Sequence, residues 1–218
     1  MNLDLFVDTS RKGISMGLSD SVSGLYQETV DVTARGETAS ALLDELLTRV
    51  DAKLDDIKRV LVTVGPGSFS GLRTGVAFCQ GLCFSGKREL FGVSTLQALE
   101  CFGTAESASK ESVAVVIRAR PGYWYLRQTV NGKADESFIE TAEVVERLKA
   151  AADLKVVVVD EPATADETLK VLFEELKVKQ VLDAGKPLNL WAPLFTSEQA
   201  SLIQEANYIQ PSYFEKLK

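Results

Sequence analysis

Apolar residues alternate at period two through Leu3, Leu5 and Val7, and again through Ile14, Met16 and Leu18, so the chain opens with two strands. After Ser23-Gly24, the stretch from Leu25 to Val32 predicts a third, and together they read as an antiparallel meander whose first turn is Asp8-Thr9-Ser10. The period then changes. Ala39, Leu42, Leu43, Leu46, Leu47 and Val50 recur at helical spacing. Leu54 and Ile57 lead on to Val60-Leu61-Val62-Thr63-Val64, where four apolar β-formers in five residues suit a strand buried on both faces. A helix from about Ser70 to Ser85, a short strand at Leu90 to Val93 and a helix at about Ser94 to Phe102 follow.

Between Gly103 and Ser112 the composition turns small and polar, which places a lobe boundary there and divides the chain into residues 1–105 and 106–218. In the second lobe, Val113 to Ile117 and Tyr123 to Val130 read as strands around an Arg-Pro-Gly turn. Thr141 to Ala151 reads as a helix, Val156 to Val159 as a buried strand, and Asp166 to Leu176 as a further helix. The last stretch is expected to be helical from about Thr196 to Ala206 before Pro211-Ser212-Tyr213 stops it. The order of elements predicts an α/β protein of two lobes. The halves share no close sequence repeat.

The run Gly65-Pro66-Gly67-Ser68-Phe69-Ser70-Gly71-Leu72-Arg73 carries the strongest local signal. A buried strand enters a glycine-proline turn, and Ser68 or Ser70 can cap the helix beyond it. Such a turn can face an anion or a partner. It is not a Walker A loop, because Leu72-Arg73 stands after Gly71 where Lys-[Ser/Thr] is required. The other reading is purely structural: the glycines relieve backbone strain, and Gly71 and Gly75, four apart, let the helix pack closely on the sheet.

Composition narrows the chemistry. At 218 residues with 45% hydrophobic content, the chain can bury a sizeable core. No apolar run approaches a membrane span and the N-terminus has no basic, apolar leader, so a cytoplasmic location without membrane contact is expected. With 24 basic against 31 acidic residues, a net charge of −7 repels nucleic acid, and any RNA contact is expected to run through a partner. There is no histidine, which excludes a Ser-His-Asp triad and any His-ligated metal. Cys79, Cys83 and Cys101 are odd in number, and the first two lie one helical turn apart in an apolar stretch, so buried reduced thiols are expected and no metal site.

Meander, helix, strand, glycine-rich turn and helix, followed by a second α/β lobe, resembles the actin-like ATPase and sugar-kinase architecture, with two ribonuclease H-like lobes, each a mixed sheet flanked by helices. More narrowly, Asp8-Thr9-Ser10, the run Gly65 to Ala77 and Gly92-Val93-Ser94-Thr95-Leu96 are similar to the TsaB (YeaZ-like) family. The resemblance covers the first hundred residues well. The remainder matches loosely, through the turn near Ala119-Arg120 and the closing Pro211-Ser212-Tyr213. It implies a non-catalytic scaffold subunit for threonylcarbamoyl transfer to adenosine 37 of transfer RNAs that read codons beginning with adenine. The implied partners are TsaD, as a heterodimer, and TsaE, with a homodimer through the same helices as an alternative. It also implies no cofactor in the isolated chain, with ATP and magnesium belonging to the complex. Three positions depart from the family: Thr38-Ala39-Ser40 stands for His-Ser-Glu, Arg118-Ala119-Arg120 for Asp-Ala-Arg, and Glu215 for the closing Arg.

The resemblance makes Asp8, Thr9, Ser10, Gly65, Gly67, Ser68 and Arg73 the candidate, vestigial nucleotide positions. The enzymatic alternative is an ATP-dependent, actin-like kinase or ATPase that uses Asp8, as the magnesium carboxylate, and the Gly65 to Gly71 turn. Against it, Asp8 can simply accept amides of its own turn, and Arg73 can be an ordinary surface ion-pair partner. The resemblance places the pairing surface on the first two helices, at Leu42, Leu43, Leu46, Leu47, Val50, Gly71, Gly75, Val76 and Cys79; plain core packing is the other reading of the leucine stripe. Arg118 and Arg120 near Tyr123, Trp124 and Tyr125 could stack RNA bases, or the aromatics could alternate across a strand, Trp124 inward and the tyrosines outward.

Overall fold

Leu5, Phe6 and Val7 are buried on both faces of β1 (Leu3–Asp8), which therefore lies inside its sheet and not at an edge. β2 (Ile14–Asp20) and β3 (Leu25–Asp31) follow antiparallel, the meander that alternation predicts. α1 (Ala39–Arg49) leads to β4 (Ile57–Gly65), parallel to β1. α2 (Phe69–Cys83) leads to β5 (Glu89–Ser94), parallel to β4. The computed structural model of the chain describes residues 1–20, 22–31, 33, 38–107, 109–183, 187–196 and 201–202.

α3 (Thr95–Ser107) opens the second unit. β6 (Val113–Arg120), β7 (Tyr123–Val130) and β8 (Lys133–Glu140) form another antiparallel meander. α4 (Thr141–Ala150) crosses to β9 (Val156–Val159), parallel to β6. α5 (Glu161–Ala165) and α6 (Glu167–Leu176) cross to β10 (Lys179–Leu182), parallel to β9. A 3-10 helix at Leu188–Thr196 and the short β11 (Ser201–Leu202), antiparallel to β5, return to the first unit.

The sheets run β11-β5-β4-β1-β2-β3 and β10-β9-β6-β7-β8. Setting β11 aside, the two orders are the same: three antiparallel strands, then two parallel strands reached by helical crossovers. Topology repeats where sequence does not.

The boundary expected after residue 105 falls earlier, between Thr95 and Leu96. The reason lies on α3, which is built onto the second sheet. A Cβ at Gly103 would come 2.4 Å from Val113 and 2.9 Å from Val158, and buried Glu100 accepts from Arg127 at 3.0 Å. The helix expected from Thr196 to Ala206 is replaced at Ser201–Leu202 by strand; Thr196 ends the 3-10 helix, and residues 197–200, 203–206 and Pro211-Ser212-Tyr213 lie outside the described residues. β8, β10 and α5 are additions to the sequence reading. β8 is a polar edge strand, and its entry is marked by Asn131 and Gly132 at φ 53° and 73°, the pair a tight hairpin requires. Among the described residues no helix is long and apolar enough to cross a membrane.

Candidate functional site

The C-terminal ends of β1 and β4 bring Asp8-Thr9-Ser10 against Gly65 to Ser68, as the sequence pairs them. Gly65 sits at φ 123°, a conformation that side chains resist. Ser68, and not Ser70, caps α2, its hydroxyl accepting from Gly71 N at 3.3 Å. The Ser68 amide itself donates to Ser10 O at 2.7 Å. Asp8 accepts from Ser10 N at 2.9 Å and from the Thr63 hydroxyl at 2.7 Å. Its carboxylate is thus the turn acceptor of the structural reading.

The glycines close onto this turn. A Cβ at Gly67 would stand 2.3 Å from Ser10 O, one at Gly71 2.2 Å from Thr9 O, and one at Gly75 2.0 Å from Thr9 Oγ1. Thr9 and Ser10 are each only 3% exposed. These approaches give all three glycines a packing role against the β1 turn. Among the described residues the buried hydroxyls of Thr9 and Ser10 have no hydrogen-bond partner, and Gly75 lies directly against Thr9 Oγ1. Arg73 lies on the exposed side of α2 with its guanidinium 4.3 Å over the Phe69 ring.

The residues expected at a pairing surface are placed otherwise. Leu43, Leu46, Leu47, Val76 and Cys79 belong to the core beneath α1 and α2, with Leu46 and Cys79 fully buried. Leu42 and Val50 are half-buried against the same core, and Gly71 and Gly75 meet Thr9. Positions 43, 46, 47 and 50 follow i, i+3, i+4 and i+7, and the sheet takes that whole face. The exposed positions are Ser40, Ala41, Asp44, Glu45, Thr48 and Arg49 on α1, and Phe69, Ser70, Arg73, Ala77, Gln80 and Gly81 on α2. Phe69 is 57% exposed, and Phe84, just past α2, is 93% exposed. Sequence reasoning passed over both; the available signal is that each stands off the Leu72-Val76-Cys79 stripe.

On the second unit, Trp124 points inward and donates to the Thr141 hydroxyl at 2.8 Å. Tyr125, expected outward, is buried against Phe138, because this strand is covered on both faces. Tyr123 keeps Arg120 company, the guanidinium 4.1 Å over its ring and 5.5 Å from that of Phe138. Asp160 caps α5 through Ala163 N at 3.0 Å and also accepts from Arg118 N at 2.8 Å. The three cysteines are free thiols, and burial pushes each above its ordinary value, Cys101 to about 11. Among the described residues no three acidic, cysteine or histidine side chains gather as a metal site.

Two sheets of one repeated order, joined to a strand-end turn packed on the Asp8 loop, define a protein of the actin-like, ribonuclease H-like α/β class. The chain belongs to the family described as TsaD: tRNA N6-adenosine threonylcarbamoyltransferase, whose model matches residues 34–206. Its likeness there includes TsaB proteins: it is 28% identical over 148 residues to the tRNA threonylcarbamoyladenosine biosynthesis protein TsaB of Buchnera aphidicola, covering 63% of this chain and 68% of that one. It is also 24% identical over 200 residues to the tRNA N6-adenosine threonylcarbamoyltransferase of Geobacter sulfurreducens, covering 79% of this chain and 59% of that one. The solved structure of YeaZ from Pseudomonas aeruginosa superposes with a TM-score of 0.65 at 23% identity, over 98% of this chain and 100% of that one. The matched stretches thus span about three-fifths to two-thirds of those two curated relatives.

Proposed function

We propose that this chain is a non-catalytic scaffold subunit in the synthesis of threonylcarbamoyladenosine in transfer RNA. It pairs one-to-one with TsaD through the outer faces of α1 and α2, works with TsaE, and so serves transfer to adenosine 37 of transfer RNAs reading codons that begin with adenine. The observation that supports this reading is the seating of Gly67, Gly71 and Gly75 on Thr9 and Ser10, which gives these glycines a packing role that needs no nucleotide. ATP and magnesium then belong to the complex and not to this chain. A net charge of −7 agrees with RNA being reached only through the complex, in the cytoplasm. On α2, exposed Phe69 under Arg73 is an anchor of the type that interfaces favour.

Light scattering on the chain mixed with TsaD from the same organism tests this, using wild type and a Phe69→Asp/Arg73→Glu variant whose fold is checked by circular dichroism. A one-to-one complex that the folded variant does not form is the expected result. No complex at any concentration, together with magnesium-dependent ATP binding by the isolated chain, would replace the scaffold with the kinase or ATPase reading.

A further inference from the structure

β6 and β7 pair out of step near their turn: Arg118 stands opposite Trp124 and Arg120 opposite Tyr123, so Ala119 is an extra residue in the ladder. Such a bulge re-aims the side chains beyond it. Without it Arg118 and Arg120, two apart, would both share the face of inward Trp124. With it Arg120 moves to the face of Tyr123, Tyr125 and Phe138. There its guanidinium lies 4.1 Å over the Tyr123 ring and 5.5 Å from that of Phe138. The two rings are 10° from parallel, with centroids 5.2 Å apart. Both rings belong to half-buried residues while Arg120 is exposed, so a planar cation tops a flat aromatic base. Glu140 fixes the stack by accepting from the Tyr123 hydroxyl at 2.6 Å.

From Arg118 to Tyr123 the hairpin end holds two arginines and no carboxylate, a positive spot on a chain of net charge −7. The carboxylates of Glu140 and Asp160, which reach it, are engaged, the first by that hydroxyl and the second by Arg118 N at 2.8 Å and Ala163 N at 3.0 Å. Pro121 and Gly122 are exposed, and a Cβ on Gly122 would meet nothing within 4 Å, so the approach to the tip is open. A carboxylate is gripped by the edge of a guanidinium, whereas a guanidinium laid flat over rings offers its face, and that face suits a flat π-system. We propose that Arg120, backed by Tyr123 and Phe138, is a stacking site for an unpaired base of RNA, with the positive charge of the hairpin end serving its phosphates. The site rests on the scaffold reading above and gives the second unit a direct part in holding transfer RNA once the complex has formed.

Fluorescence anisotropy of labelled transfer RNA on the complex reconstituted with TsaD and TsaE tests this, with Arg120→Lys and Tyr123→Leu made in this chain. Lysine keeps the charge and loses the plane. Both variants should assemble as wild type does, by light scattering, and bind the transfer RNA about tenfold more weakly, the loss expected for one stacked base. For Arg120→Lys the slope of log Kd on log salt should stay at the wild-type value, because no charge is removed. Wild-type affinity in both assembled variants would overturn the stacking site and leave the scaffold standing. Weakened assembly with TsaD would overturn it as well, since the face would then be a protein interface. No complex with the wild-type chain would instead overturn the scaffold reading, and the site with it.

Discussion

Gly75 lies directly against Thr9, so close that a Cβ on the glycine would stand 2.0 Å from the threonine hydroxyl and 3.0 Å from its Cβ. A helix can approach the β1 turn this nearly only if the facing residue has no side chain. The glycine spacing that resembles a phosphate cradle therefore serves the seating of α2 on Asp8-Thr9-Ser10.

That seating predicts opposite signs for two alanines on one helix. Gly75→Ala forces Thr9, a short, branched and buried side chain, to move, and should lower stability by about 1–3 kcal/mol. Gly81→Ala meets nothing within 4 Å and should raise it by about 0.5–1 kcal/mol, since alanine loses less backbone freedom in a helix. Urea titrations of both variants without any ligand check this; a silent Gly75→Ala would return the glycine to a ligand-binding role.

Leu46 is fully buried, whereas Phe69 on the neighbouring helix is exposed. Leu46→Asp should therefore remove the fold, by at least about 3 kcal/mol, as a cavity and an unpaired buried carboxylate add together. Arg73→Glu should leave the thermal melt within about 0.5 kcal/mol of wild type, as surface changes do. Circular dichroism melts decide it: a folded Leu46→Asp would move α1 out of the core.

Much of this architecture is legible in the sequence. Leu3, Leu5 and Val7 alternate, Val60 to Val64 is uniformly apolar, and Leu43, Leu46 and Leu47 repeat at helical spacing; each pattern becomes the element it predicts. Periodicity does not say what covers an apolar face. That is why the leucine stripe could be read as partner surface, and why Phe69 and Phe84 went unnoticed off the stripe. β8 alternates few apolar residues because it is an edge, and its signal is instead Asn131-Gly132. The return of residues 188–196 to the first sheet is a long-range contact with no local signature.

Glu100 and Arg127 form a buried pair, 3.0 Å apart, that ties α3 to the second sheet; Glu136 also accepts from Arg127 at 2.8 Å, and the Thr129 hydroxyl donates to Glu100 at 3.1 Å. Removing one partner leaves the other charge buried. Glu100→Ala should destabilise by about 3–5 kcal/mol, and Glu100→Ala/Arg127→Met by less than Glu100→Ala alone. Chemical denaturation of the two variants tests the coupling, which a double variant weaker than the single would refute.

Burial, with a smaller contribution from the Glu100 charge, pushes the Cys101 thiol up to about 11 from an ordinary 9.0. At pH 8 its thiolate is about 100-fold scarcer than in the unfolded chain, and peptide-resolved alkylation should slow accordingly. The sign for stability follows. Between pH 9 and about 11 the unfolded chain gives up this proton first, so the contribution present below pH 9 is lost as pH rises. Equal alkylation rates in native and urea-unfolded protein would show the thiol to be open.

Asp8 separates the scaffold from the ATPase more sharply than any other residue. Its Oδ1 already holds Ser10 N at 2.9 Å and the Thr63 hydroxyl at 2.7 Å, so its work in this chain is to fix the turn on which α2 is seated. Asp8→Ala leaves both donors without their acceptor and should lower stability by about 1–3 kcal/mol, while Asp8→Asn keeps a carbonyl oxygen in place and should lower it by less. A magnesium carboxylate behaves in the opposite way, because Asn retains the shape but loses the charge that binds the ion. In the scaffold, Asp8→Asn should melt close to wild type and support threonylcarbamoyladenosine formation by the reconstituted complex at an unchanged rate. A rate that falls by orders of magnitude in a variant of normal stability would show that the carboxylate charge itself is used, and the turn would then have to be read as a metal site after all.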